Sequence, residues 1–149
     1  MRTYLVVIDD SAESRVALRF AARRAARTGS AVEILALIDP PEFVQWGGVQ
    51  AAMEEEARLR AEAMVLEASG AILDEAGIQP SVITRQGDPV KVIGELLAER
   101  EVAALVLATS SNGGPGPLVA HFSNVAASLP CPLMIVPGGL SEEALDRIS

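Results

Sequence analysis

The sequence predicts an α/β domain built on a sheet of five parallel strands, and three observations lead there. Apolar runs of strand length alternate with segments in which apolar residues recur at helical spacing. The run at 102–108 is apolar without interruption, as expected of a strand covered on both faces. Polar, glycine-bearing segments follow the strands, where the chain must turn outside the sheet.

The first strand is Thr3–Ile8, and Asp10 with Glu13 three residues later reads as a capping box opening the next helix. In that helix Ala17, Leu18, Ala21, Ala22 and Ala25 share one arc, with Arg15, Arg19, Arg23 and Arg27 in a row on the other side. The row reads as a solvated helix face rather than an anion-binding strip. A break at Gly29 and Ser30 leads to a second strand over 32–38, then to an irregular stretch over 39–48 carrying Phe43 and Trp46 as large anchors. Packing of this loop is the simplest role for them, and a ligand pocket beneath it is the alternative.

The pattern from 49 to 76 is helical, with Met53, Ala57, Met64 and Ala68 on its apolar side and Glu54/Arg58 and Glu56/Arg60 as i, i+4 pairs. Gly77 stops it, 81–84 is a short third strand, and Gly87, Asp88 and Pro89 supply a turn, an N-cap and a first-turn proline. The third helix buries Ile93, Leu96 and Leu97. After the fourth strand, Leu118, Phe122, Val125, Ala126 and Leu129 predict one continuous helix. Pro130, Cys131 and Pro132 then turn the chain into a last strand, Leu133–Val136. Residues 1–138 read as one domain and 139–149 as a short, detachable acidic tail, with at most a short helix opened by Ser141.

Composition narrows the function classes. Twelve basic and twenty acidic residues in 149 give a formal charge of −8, the wrong sign for nucleic acid or anionic lipid as a partner. No apolar run reaches the roughly twenty residues of a membrane-spanning helix, and no secretory signal opens the chain, so the expected location is cytoplasmic. Cys131, the single cysteine, reads as a small buried hydrophobe. His121 reads as structural, with no Ser or Cys nucleophile placed to use it, and no residue set for catalysis or metal binding stands out.

Ligands of such sheets bind outside the carboxyl ends of the strands, where strand order reverses. Two segments qualify: Asp9, Asp10 and Ser11 after the first strand, and the polar loop 109–117, whose backbone N–H groups at a helix start suit an anion. The acidic pair also resembles the receiver domains of two-component signalling. Those need a further Asp ending the middle strand and a Lys after a later strand. The only lysine here is Lys91, inside a helix, and the third strand runs into Thr84 and Arg85, so that reading fails.

Five segments in order carry a broader resemblance: VVIDDS, VEILALIDP, RQGDPVKVIGELLAE, VAALVLATSSNGG and NVAASLPCPLMIVP. Together they resemble the universal stress protein family over nearly the whole chain. The resemblance implies a doubly wound, Rossmann-like sheet of order 3-2-1-4-5 and a homodimer formed by pairing the last strands, Leu133–Val136. It also implies a site for ATP or AMP in which Asp9 faces the adenine and the backbone of Leu37 meets the base.

The family's phosphate-binding glycine pattern is damaged here. Ala108 and Ser111 stand where its first two glycines belong, Val119 and Ala120 where its Gly-Ser step belongs, and the loop between is about two residues shorter. Thr109, Ser110, Ser111 and Gly113 remain as a different anion nest. The expectation is therefore a non-enzymatic, dimeric stress protein without tight ATP binding and with no assured cofactor; an ATP- or AMP-binding regulator with weak hydrolysis is the alternative.

Overall fold

The computed structural model describes residues 1–38 and 47–149, with backbone only for 47–50. Phe43 and Trp46, and the pocket considered beneath their loop, lie outside the described residues. The elements run β1 (Thr3–Ile8), α1 (Ala12–Thr28), β2 (Ala31–Ile38), α2 (Gly47–Ala76), β3 (Ser81–Gln86), α3 (Pro89–Glu99), β4 (Ala104–Ala108), α4 (Pro117–Asn124), β5 (Leu133–Val136) and α5 (Glu142–Ile148). All five strands are parallel in the order β3-β2-β1-β4-β5.

Alternate side chains of the central strands feed two cores. Tyr4, Val6, Ile8 and Val106 pack under α1, α2 and α5, with Leu18, Ala22, Ile72 and Leu145. Leu5, Val7, Leu105 and Leu107 pack under α3 and α4, with Ile93, Leu97 and Phe122. The alanine arc of α1 is buried as its spacing predicts, and its small side chains let the helix sit close to the sheet.

Several local expectations change. The cap of α1 is Ser11, not Asp10: the Ser11 hydroxyl accepts the N–H of Ser14 at 3.3 Å, while Asp10 is exposed. Helix α2 begins at Gly47, taking in two glycines assigned to the loop. It ends as expected at Gly77 (φ 67), where Gly77 N–H donates to Leu73 and Ile78 N–H to Ile72. Strand β3 extends two residues past Thr84, pairing Arg85 with Leu37 and Gln86 with Ile38. Helix α4 stops at Asn124; Val125 leaves helical geometry and only a 3-10 turn, Ala126–Ser128, follows.

The larger corrections concern α5 and the arginine row. Ser141 caps α5 as expected, accepting from Ala144 N–H at 3.1 Å, but the segment is not a free tail: it packs on the domain, with Leu145 1% exposed against the core. The row on α1 is not a free solvated face. Arg19 pairs with Glu75 at 2.6 Å and with Asp146 at 3.0 Å, Arg23 reaches Asp146 at 3.0 Å, and Arg27 donates to the Ser149 carbonyl. Arg15, paired with Glu67 at 2.6 Å, and Arg27 keep exposed positions, while Arg19 and Arg23 are partly buried.

Candidate functional site

The order of the sheet reverses between β1 and β4, so the crevice outside their carboxyl ends is where a doubly wound fold binds ligands. On the β1 side, the Asp9 carboxylate is half-buried and turned back on its own chain. It accepts the Ser11 N–H at 2.8 Å and the Ser11 hydroxyl. The Ser14 hydroxyl lies 2.9 Å from the Ser11 carbonyl and 3.2 Å from that of Asp9, which fixes the start of α1.

The β4 side is closed by β5. Ala108 pairs with Val136, Thr109 N–H donates to the Val136 carbonyl at 2.9 Å, and the Thr109 hydroxyl accepts the Gly138 N–H at 2.9 Å. The approach is so close that a Cβ at Gly138 would lie 1.9 Å from the Thr109 carbonyl oxygen. Beyond Thr109 the loop folds onto itself. Ser110 N–H donates to Gly114, Gly113 N–H to Ser110, and Asn112 N–H to the Ser110 hydroxyl. Gly113 and Gly116 hold φ of 98 and 79, the left-handed region that glycine tolerates.

At the start of α4, Pro117 supplies no N–H, Ala120 N–H is taken by Gly116, and the Val119 side chain is buried at 5% exposure among Val7, Leu107 and Phe122. What remains is a cavity of about 60 Å³ lined by Asp9, Glu13, Ala108, Gly116 and Val119 among others; of the described residues, no Lys, Arg or His lines it. Sites for drug-sized ligands span about 300–1,000 Å³. Glu13 accepts from the Ser111 hydroxyl at 3.4 Å, which sets an acid against the loop.

The structure thus gathers Asp9, Ala108 and Val119 around one cavity, while Thr109, Ser110, Ser111, Gly113 and Ala120, in the adjoining loop and helix start, do not line it. Leu37 stands apart, with Asp10 and Arg60 beside α2. Glu13 and Gly138 escaped sequence reasoning as site residues. Glu13 passed for half of a capping box, and the Pro-Gly-Gly after β5 was the available signal for Gly138.

Elsewhere, burial pushes the Cys131 thiol up from its ordinary range, partly offset by a backbone hydrogen bond at Leu105, which suits a structural cysteine. His121 is exposed and edge-on to Phe122. Among the described residues no cluster of His, Cys, Asp or Glu suits a metal ion, and no helix is long and apolar enough to cross a membrane.

A parallel sheet of this order, with a crevice between β1 and β4, defines a doubly wound α/β protein of the Rossmann-like class. Residues 1–137 match the universal stress protein family, and the chain belongs to it. Solved structures share the fold. The universal stress protein UspA from Lactobacillus plantarum superposes with a TM-score of 0.74 at 16% identity, over 91% of this chain and 97% of that one. One from Archaeoglobus fulgidus in complex with dAMP gives 0.60 at 20% identity, over 91% and 97%. One from Arabidopsis thaliana with AMP bound gives 0.61 at 16% identity, over 97% and 95%. No curated protein matches the chain.

Proposed function

We propose that this protein is a non-enzymatic, homodimeric, cytoplasmic universal stress protein that acts through protein contacts and does not bind ATP tightly. The observation that carries this reading is the phosphate end of the crevice. Val119 packs where the family places a glycine, Glu13 sets a negative charge against the loop, and the backbone donors of Ser110, Asn112 and Gly113 are engaged within it. A triphosphate there meets a side chain and an acid where it needs N–H groups and cations.

Titration calorimetry with Mg-ATP tests this. Binding no tighter than about 100 μM is expected, and micromolar binding overturns it. The dimer is supported by β5, an edge strand whose Ile135 is 44% exposed. Pro132 and Val136 turn their carbonyls to β4, so Ile135 is the residue whose N–H faces outward. Ile135→Pro removes that donor from the edge and is expected to yield a monomer, and a folded, dimeric variant overturns the interface.

A second reading rests on the relatives with AMP and dAMP: the protein is a nucleotide-responsive regulator that takes a monophosphate, using Asp9 and the loop rim. Titration with AMP separates the two. Low-micromolar binding that is lost in Asp9→Ala favours the second.

A further inference from the structure

Helix α2 is apolar on two opposite faces, and the domain uses only one. Ala57, Ala61, Met64, Ala68 and Ile72 turn inward, with Ala61 and Ile72 buried. Half a turn around, Leu59, Ala63, Leu66, Gly70 and Leu73 follow one another at spacings of four, three, four and three, the repeat of a coiled-coil seam. All five are exposed, and the three leucines are 53%, 75% and 51% accessible. A soluble helix does not ordinarily carry such a stripe into water. Gly70 adds a second oddity. It sits inside the helix with nothing within 4 Å of where a Cβ would be, so the domain itself gives no reason for a residue that weakens the helix.

We propose that this seam is a self-association surface, in which α2 of one copy packs antiparallel on α2 of a second copy about a two-fold axis. The alternation of large and small residues selects the arrangement. In the antiparallel register that sets Leu66 of one copy against Ala63 of the other and Leu59 against Gly70, the two inner leucines each meet a small residue and Leu73 falls opposite the stem of Glu56 at the end of the seam. Central knobs thus fill holes and the glycine acquires a use. Charge selects it too. Antiparallel pairing brings like flanks together, placing Arg60 of one copy beside Glu67 of the other, twice by symmetry. Parallel pairing sets Glu62 against Glu67 and Gly70 against Gly70, which costs both charge and packing. Arg60 and Glu67 are exposed in the single chain and lie within reach of Glu56 and Arg15, contacts weak enough to share.

This surface is distinct from the β5 edge, so its test does not depend on the dimer proposed there. Sedimentation of the full chain over rising concentration is expected to show the mass doubling, from monomer to dimer or, if β5 already pairs, from dimer to tetramer. Leu66→Lys is expected to abolish the doubling while leaving the circular dichroism and melting temperature unchanged, because the side chain is exposed in the single chain. Arg60→Glu and Glu67→Arg are each expected to weaken the doubling alone and to recover it when mixed in equal amounts, since only the mixed pair restores opposite charges. A wild-type mass that stays constant up to about 1 mM overturns the proposal. So does a doubling that Leu66→Lys leaves intact, or a mixture that behaves as its components do.

Discussion

By residue type, the loop over 109–116 and the arginine row of α1 both look like places for an anion. In the structure both are claimed from within the chain, over very different distances. The loop closes locally, Ser110, Asn112 and Gly113 donating to partners no more than four residues away, with Thr109 bound to β5. The row closes at long range: Arg19 and Arg23 meet Asp146, and Arg27 meets Ser149, more than a hundred residues on. The difference teaches that a basic stripe says nothing about its counter-charge until the last helix is placed, whereas a self-bonded loop announces itself in its glycines.

Breaking the closure of the loop is expected to have the largest effect. Gly138→Ala drives a Cβ to 1.9 Å from a backbone oxygen, which no rotamer relieves. A loss of about 3 kcal/mol is expected, a melting temperature lower by roughly 6–12 °C. A shift of a degree or two would mean that β5 and the loop separate freely. Next comes the anchor of the row's partner. Leu145→Ala empties a buried site on a terminal helix and is expected to cost about 2 kcal/mol in chemical unfolding, more than the roughly 1 kcal/mol of removing the Ser141 cap. If deletion of 141–149 leaves the unfolding midpoint unchanged, α5 contributes nothing and the long-range closure is incidental.

The loop can also be opened by chemistry. Val119→Gly with Ala120→Ser restores the family's residue types, yet Glu13 and the in-loop hydrogen bonds remain. Calorimetry is expected to show ATP affinity improving by less than about tenfold. A gain of a hundredfold would place the whole defect at those two positions.

The sheet was readable because buried parallel strands are apolar runs: Thr3–Ile8 and Leu133–Val136 match to the residue. Errors fall where burial leaves no mark. Arg85 and Gln86 are exposed edge residues, so the end of β3 carried no hydrophobic signal. Ala126 is exposed and pulls on nothing, so α4 gives way at Val125. Asp10 and Ser11 are both good caps, and the choice was made by Asp9, whose carboxylate holds Ser11 in place. At the site, the family resemblance pointed to Val119, which lines the cavity, while nothing pointed to Glu13, because its contact is with a loop about a hundred residues away.

The smallest expected effect concerns the charge of the clasp itself. The guanidinium of Arg19 donates two hydrogen bonds to Asp146, at 3.1 and 3.0 Å, and with the charges of Arg19, Arg23 and Arg27 it holds this carboxyl below the usual aspartate range, against a smaller opposing effect of burial. A carboxyl whose folded value is depressed favours folding above its unfolded value and loses that contribution as pH falls through the folded one. Wild type is therefore expected to melt above Asp146→Asn at pH 7, with the gap closing below about pH 4. Raising the salt at pH 7 is expected to narrow the same gap, since screening shortens from about 10 Å at 0.1 M to about 3 Å at 1 M. A gap unchanged by both would show that Leu145 holds α5 unaided and that the arginine row only follows it.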